Sequence, residues 1–333
     1  MRSDFFGNEK ANTLYFGGGT PSVLSPDEVK NAIFWCKNVF GLHKDAEITL
    51  EANPDDLSEA YIAQLCETGI NRLSIGVQSF DDTVLKFLNR RHSSQQSENA
   101  IKTCQNYGFT NLSLDFIYGI PGQSVESWKE SLQKALELKV PHISAYHLGI
   151  EENTVFGKWA KKGELNTVEE EISMEQYEIL IETLSSAGYE QYEISNFAIP
   201  GWHSRHNSSY WQNEPYLGLG PSAHSFVPGS RQWNPKNLDQ YIASLKLGKL
   251  VFETENLSKK DQYNDYVLTA LRTSAGINYS KVKCFAGEKQ MRLCMETMEK
   301  YVKTGHVITT EDGFRLSSKG FFISDTIVSG LIW

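Results

Sequence analysis

Thr13-Leu14-Tyr15-Phe16-Gly17-Gly18-Gly19-Thr20-Pro21 is a short apolar strand followed directly by a glycine-rich turn. Because glycine has no Cβ, the backbone of such a turn can approach a ligand closely. Neither Gly-Lys-Ser/Thr nor Gly-x-Gly-x-x-Gly occurs here, which excludes the two common phosphate-binding motifs. Taken alone, the turn is also typical of a tight connection between a strand and a helix, so its meaning depends on the rest of the chain.

The first half of the chain alternates strands with helices. Strands are predicted near 13–17, 47–51, 72–76, 112–117 and 142–147, and helices near 26–40, 58–67, 93–107 and 125–138. This alternation predicts a parallel sheet whose ligands lie at the carboxyl ends of the strands. Glu51, Gln78 and Asp115 stand at or near three of those ends.

The second half has a different pattern. A long acidic helix is predicted near 168–187, followed by an ordered, loop-rich region over 189–235. From about residue 257, two or three helices, a hairpin over 305–317 and a last helix from residue 318 resemble a small winged-helix-type module. The predicted domains are 1–235 and 236–333.

The bulk composition is that of a globular protein of 333 residues with a net charge of −9. The acidic balance argues against nucleic-acid binding. No run approaches the roughly 20 apolar residues of a membrane span, and no signal peptide opens the chain. Five scattered cysteines, none in a Cys-x-x-Cys, are predicted to be buried thiols in a reducing cytoplasm: Cys36, Cys66, Cys104, Cys284 and Cys294.

Five motifs give the glycine turn its context. In chain order they are Phe16-Gly-Gly-Gly-Thr-Pro-Ser22, Glu51-Ala-Asn-Pro54, Ser74-Ile-Gly-Val-Gln-Ser-Phe80, Asn89-Arg-Arg-His92 and Asp115-Phe-Ile-Tyr-Gly-Ile-Pro-Gly122. Together they resemble the radical S-adenosylmethionine (SAM) family related to oxygen-independent coproporphyrinogen III oxidase, and more closely its haem chaperone branch. The resemblance covers almost the whole chain. It implies an α/β fold, an open, partial (β/α)₆ barrel lacking its first βα unit, followed by a small helical domain.

The resemblance also implies a SAM site. Its predicted residues are Gly18, Gly19, Thr20, Glu51, Gln78, Arg90 and Asp115. The glycine turn and Thr20 would hold the SAM amino group, and Glu51 would face the cationic ligand. Gln78 would donate to a ribose or carboxylate oxygen, and Arg90 would pair with the SAM carboxylate. Asp115 would bind the ribose hydroxyls.

One part of the family pattern is not found in these residues. The family places Cys-x-x-x-Cys-x-x-Cys after its first strand, where three thiolates bind a 4Fe–4S cluster. We therefore expect that strand and the cysteine loop to lie ahead of Met1, so that the cluster belongs to the full-length parent only. The chain as given is predicted to have no metal ligands and no catalytic residue of its own, and to bind SAM weakly. The 13–17 strand would then be a sheet edge that invites self-association.

A second informative stretch is rich in histidine and aromatic residues. Its His206-Asn207-x-x-Tyr210-Trp211 resembles the signature that the haem chaperone branch uses near its haem site. His206 is the candidate haem ligand, with Asn207 beside it and Tyr210 and Trp211 as walls, because imidazole suits iron and aromatic faces suit a porphyrin. His203 and His224 are ligand candidates of second rank, since each is more typical of a structural histidine.

The leading functional hypothesis is a cytoplasmic haem chaperone that binds haem and SAM and delivers haem to acceptor apoproteins, membrane-associated ones among them. Whether it is an enzyme, and its oligomeric state, stay open. The first alternative is the oxidase itself, which decarboxylates two propionates of coproporphyrinogen III. The second is a truncated, catalytically inactive product that only binds ligand.

Overall fold

The structure is a computed structural model that describes residues 2–7, 9–165 and 168–333. These residues form two compact units. The sheet unit is residues 11–204, and the carboxyl-terminal unit is residues 205–333 with the described residues among the first ten. Among the helices of the described ranges, none is long and apolar enough to cross a membrane.

The sheet unit contains one seven-stranded sheet in the order β1-β2-β3-β4-β5-β7-β6. Its strands are β1 (Ala11–Phe16), β2 (Leu42–Ala52), β3 (Arg72–Gln78), β4 (Leu112–Tyr118), β5 (His142–His147), β6 (Glu190–Gln191) and β7 (Asn196–Ala198). The first five are parallel, as the sequence predicts, whereas β7 runs antiparallel to both β5 and β6. Strand β1 is an edge of this sheet.

In the described part of this unit, seven helices connect or follow these strands. They are α1 (Pro26–Phe40), α2 (Glu59–Leu65), α3 (Asp82–Phe87), α4 (Ser94–Asn106), α5 (Val125–Glu137), α6 (Val155–Lys161) and α7 (Glu170–Ser186). The start of α1 is fixed by a capping box, in which Ser25 and Glu28 each accept from the other's backbone amide. Two single turns of 3₁₀ helix, Pro21–Val23 and Pro54–Asp56, follow β1 and β2.

The two faces of the sheet differ in chemistry because successive strand side chains point to opposite sides. On β3, Leu73, Ile75 and Val77 are fully buried, and β4 continues this apolar face. Helix α5 packs on it, with the ring of Trp128 6.2 Å from that of Phe116. The opposite face of the sheet, here called the inner face, is polar: it carries Glu47, Glu51, Arg72, Ser74, Gln78, Ser113, Asp115, His142 and Ser144.

The carboxyl-terminal unit holds the remaining elements. They are α8 (Arg205–Trp211), β8 (His224–Val227), β9 (Ser230–Trp233), α9 (Leu238–Lys246), β10 (Glu253–Asn256), α10 (Lys259–Ala270), β11 (Ile277–Asn278), α11 (Tyr279–Lys303), β12 (Val307–Thr309), β13 (Gly313–Leu316), α12 (Ser318–Phe322) and α13 (Ser324–Ser329). Two antiparallel sheets form, in the orders β10-β9-β8 and β11-β13-β12. The predicted hairpin is β12–β13, and the carboxyl-terminal region is helical as expected.

The unit boundary lies at residue 204, and the sequence places it at residue 235. The cause is a pairing that the sequence pattern cannot show. Strand β9, which precedes residue 235, pairs with β10, which follows it. Segment 205–235 therefore belongs with the residues that come after it.

The prediction of buried thiols is wrong for two of the five cysteines. Cys104 and Cys294 are buried, and burial raises the pKa of the Cys104 thiol to about 12. Cys66 is exposed because it caps the end of α2, and Cys284 is exposed on α11.

Candidate functional site

The parallel register brings four predicted SAM-binding segments to one edge of the sheet. Phe16 pairs with Leu50, so the glycine turn leaves β1 beside Glu51. Glu51 pairs with Ser74, whose hydroxyl contacts Asp115 on the next strand. Because the carboxyl ends of parallel strands meet at the same edge, these polar groups face a common region.

The Glu51 carboxylate orders the glycine turn. One oxygen accepts a 2.6 Å hydrogen bond from the Tyr15 hydroxyl, and the other accepts from the Gly18 amide at 3.3 Å. Gly18 has φ +105°, in the region that favours glycine, and a Cβ added at Gly18 or Gly19 would meet nothing within 4 Å. The turn therefore leaves open space beside a carboxylate, which suits a ligand that carries a cation and an amino group.

Gln78 ends β3 in an unusual conformation. Its φ is +65°, which is uncommon for a residue other than glycine. Gly76 makes room for the Gln78 side chain, since a Cβ at position 76 would lie 2.8 Å from the side-chain nitrogen Nε2 of Gln78. Such backbone strain is typical of positions where function constrains the chain.

Arg90 is exposed in the loop between α3 and α4. Its two successors hold that loop in place. Arg91 pairs with Asp55 at 2.8 Å and with Asp56 at 3.3 Å, and buried His92 lies 3.7 Å from the Asp55 carboxylate. These contacts of Arg91 and His92 with Asp55 and Asp56 are here called the clamp. The sequence analysis missed the clamp, although Asp55 and Asp56 lie within a few residues of the second motif.

The Asp115 carboxylate is held by serine side chains of two strands. Both of its oxygens accept from the Ser74 hydroxyl, at 3.1 and 2.9 Å, and Oδ1 also lies 3.3 Å from the Ser113 hydroxyl. Burial is the main cause that raises its pKa to about 6, against the hydrogen bonds, which lower it. At neutral pH the side chain is still a carboxylate, able to accept from a pair of hydroxyls.

The haem candidates lie together in the carboxyl-terminal unit. Helix α8 places His206 and Tyr210 one turn apart, with ring centroids 5.0 Å apart. Asn207 and Trp211 are on the same helix and are partly exposed. The aromatic row continues to Tyr216, 4.4 Å from Tyr210, a residue that the sequence reasoning did not single out.

The second-rank histidines have other surroundings. His203 belongs to the sheet unit, where its ring stacks on Tyr192 at 4.3 Å and its Nε2 atom is 3.5 Å from Glu190. His224 opens β8, is exposed, and lies 6.1 Å from the ring of Trp233. Their role as haem ligands stays a prediction.

Comparison with known proteins identifies the family to which the chain is related. The model of the radical SAM superfamily matches residues 4–135. The chain is 36% identical to "Heme chaperone HemW" of Lactococcus lactis subsp. lactis over 329 residues, which span 96% of this chain and 86% of that protein. It is 32% identical to "Heme chaperone HemW" of Bacillus subtilis, over 98% of this chain and 86% of that protein.

The chain belongs to the heme chaperone HemW family.

Among solved structures, coproporphyrinogen III oxidase (HemN) from Escherichia coli, a radical SAM enzyme, matches with a TM-score of 0.82 and 22% identity. The match covers 99% of this chain and 80% of HemN. At that identity it shows the fold alone. The HemW relatives and the HemN fold together confirm the resemblance that the five motifs predict.

The cofactors of the radical SAM superfamily can be tested against the residues present. SAM fits the sheet edge, because the Gly18–Gly19 cradle is open and the Glu51 carboxylate is oriented towards it by Tyr15. A 4Fe–4S cluster does not fit the described residues, among which no three His, Cys, Asp or Glu side chains group closely enough to hold a metal ion.

Proposed function

We propose that this chain is a haem chaperone that binds haem through His206, holds SAM at the carboxyl edge of its sheet, and passes haem to acceptor apoproteins. Membership of the HemW family supports the general function. The observation that carries the proposal is the aromatic row on and beside α8, in which the rings of His206, Tyr210 and Tyr216 follow one another at 5.0 and 4.4 Å.

The row has the chemistry that a porphyrin requires. A neutral imidazole is a good ligand for haem iron, and flat aromatic rings can pack against the macrocycle. Burial is the main cause that raises the pKa of Tyr210 to about 12, so its phenol stays neutral at physiological pH and acts as an uncharged wall. Asn207 and Trp211, on the same helix, are proposed to border the haem.

The SAM part of the proposal uses the residues of the sheet edge. SAM supplies an adenosyl group on a sulfonium cation. Gly18, Gly19 and Thr20 would receive its amino group, and Glu51 would balance the positive charge. Gln78, Arg90 and Asp115 would bind the polar atoms of its carboxylate and ribose, as their positions around the edge allow.

The partners follow from the function. Acceptors are proposed to be haem-binding apoproteins, some of them associated with membranes. The cytoplasm is the proposed compartment, where the free thiols of the chain would stay reduced.

A haem titration followed by absorbance tests this function. Wild type should show saturable binding, and His206→Ala should weaken it by about tenfold or more, because an axial iron ligand is lost. His43→Ala removes an exposed histidine of β2 and is the matched control, which should bind as wild type does.

Transfer is tested in the same samples by adding a haem-free globin. The absorbance spectrum should change to that of haem-bound globin faster than haem is released spontaneously from the chain into solution. Equal binding by wild type and His206→Ala, or no saturable binding by the folded chain, would contradict the proposal.

A further inference from the structure

Buried polar side chains lead away from Asp115 along the inner face of the sheet. The Ser113 hydroxyl lies 3.3 Å from Asp115 and 2.7 Å from Nδ1 of His142. On the other side of the ring, Nε2 of His142 lies 2.7 Å from the Tyr192 hydroxyl. Ser113 and His142 are completely buried and Tyr192 is 7% exposed, so water does not compete for these bonds. The SAM site of the proposed function does not use any of the three.

The direction of the hydrogen bonds follows from the donors available. An ionised carboxylate only accepts hydrogen bonds, so the Ser113 hydroxyl is the donor in its hydrogen bond to Asp115. Nδ1 of His142 must then donate to Ser113, which leaves Nε2 as the acceptor for the Tyr192 hydroxyl. The Tyr192 oxygen in turn accepts from the Ser204 backbone amide at 3.3 Å. In every hydrogen bond of this series, the donor is therefore the group farther from Asp115.

The neighbouring serine does not interrupt this order. Ser144 lies 3.4 Å from Ser113, donates to the amide oxygen of Asn196 at 2.6 Å, and also helps to lower the pKa of Asp115. His142 is neutral, because burial, with Arg72 and His203 nearby, lowers its pKa well below the usual value, so one ring nitrogen donates and the other accepts.

We propose that Ser113, His142 and Tyr192 are positioning residues, a one-way chain of hydrogen-bond donors that fixes the Asp115 carboxylate as an acceptor at the carboxyl edge of the sheet. The chain acts with Ser74, which donates from β3. Together the two serines occupy one side of the carboxylate and leave its remaining lone pairs for a ligand that presents a vicinal pair of hydroxyls. A ribose is the ligand of that chemistry, and this half of the inference rests on the proposed SAM site.

Other charged and titratable groups also face Asp115. Arg72 on β3 favours its ionised form, whereas Glu51 on β2 opposes it. The phenols of Tyr15 on β1 and Tyr146 on β5 interact with it as well, and both remain neutral because burial raises their pKa values. Tyr192→Phe leaves all four of these side chains in place, so that substitution tests the contribution of the donor chain.

Carbon-13 NMR of the carboxyl groups, with only aspartate labelled, tests the chain on the whole protein without ligand. The Asp115 resonance is assigned by its loss in Asp115→Asn, and its titration is followed between about pH 4 and pH 8. Tyr192→Phe should raise the Asp115 pKa by about 0.5 unit, and Ser113→Ala by about 1 unit, since it removes the direct donor. Tyr189→Phe is the matched control, because the Tyr189 hydroxyl donates to the Val140 carbonyl outside the chain, and it should leave the pKa unchanged.

The result that would overturn the inference is an unchanged Asp115 titration in Tyr192→Phe, a variant that keeps the ring and its packing. This comparison decides the matter even where Ser113→Ala does not fold. A shift of the same size in Tyr189→Phe would also overturn it, since loosened packing would then be the cause.

Binding of S-adenosylhomocysteine, measured by calorimetry at about pH 7, separates this inference from the proposed function. Affinity should fall about threefold in Tyr192→Phe and not in Tyr189→Phe. Shifted titration with no ligand binding to wild type would refute the SAM site and leave the donor chain standing. Binding to wild type with no shift in Tyr192→Phe would refute the chain and leave the site.

Discussion

The Nε2 atom of His92 lies 3.1 Å from the carbonyl oxygen of Val77, the residue that precedes Gln78. The other ring nitrogen faces Asp55 at 3.7 Å. One buried side chain therefore joins the end of β3, the loop that carries Arg90, and the segment that follows β2. Three of the predicted SAM-binding segments depend on its position.

We predict that His92→Ala weakens binding of S-adenosylhomocysteine by about tenfold and lowers the free energy of unfolding by about 2 kcal/mol, because a buried ring and its hydrogen bond are lost. His92→Gln keeps an amide donor in reach of Val77 and should recover most of the affinity. Calorimetry and urea unfolding measure the two quantities. Normal affinity in a destabilised His92→Ala variant would show that the clamp supports the fold alone.

The two glycines of the cradle allow a matched pair of substitutions. Gly19→Ala should leave stability unchanged and abolish SAM binding, because the added methyl group meets only space that a ligand would fill. Gly18→Ala should in addition lose about 1 kcal/mol of stability, since its φ of +105° disfavours a side chain. Thermal unfolding and calorimetry on both variants check this. SAM binding by Gly19→Ala equal to that of wild type would place the ligand elsewhere.

Glu51→Gln tests whether the carboxylate recognises positive charge. The amide keeps the size of the side chain and removes the charge, so SAM should bind about tenfold more weakly. S-adenosylhomocysteine, which has no sulfonium, should lose less affinity. Titration of both ligands against both proteins gives the comparison. Equal losses for the two ligands would mean that Glu51 only orders the turn through Tyr15 and Gly18.

Asp115 should make stability depend on pH in a defined window. Its folded pKa is raised from 3.8 to about 6, so the folded chain binds this proton more tightly than the unfolded chain does. The stabilisation is complete below pH 3.8 and is lost as the pH rises through about 6, a total loss of about 3 kcal/mol. Asp115→Asn should therefore lose about 2 kcal/mol less than wild type between about pH 4 and pH 7.

Urea unfolding at several pH values measures this difference. Asp27→Asn, at an exposed position in the first turn of α1, is the control for the loss of one carboxyl group. Parallel stability curves for wild type and Asp115→Asn would show that Asp115 titrates at an ordinary pH in the folded chain.

The parallel part of the fold was predictable because local signals agreed with the global arrangement. All five predicted strands occur, and α1 begins at Pro26, where the sequence predicts a helix over 26–40. Strands β6 and β7 were not predicted. They are two and three residues long, and their antiparallel pairing depends on β5, which is distant in sequence.

The candidate site was predictable as far as its motifs extend. Glu51, Gln78 and Asp115 were found because each stands near a strand end in a recognisable motif. The partners that orient them were not, since Tyr15 and Ser74 act across strands and His142 looks like any residue that opens a strand. Cys66 was misjudged because helical spacing does not show where a helix ends.

The two faces of β3 separate the demands of folding from those of chemistry. Leu73, Ile75 and Val77 fill the apolar layer, while Arg72, Ser74 and Gln78 alternate with them on the inner face. Evolution, or a protein engineer, can therefore rewrite ligand preference on one side of this strand and keep the other side as it is. A library randomised only at inner-face positions should retain far more folded members than one randomised at the alternate positions of the same strand.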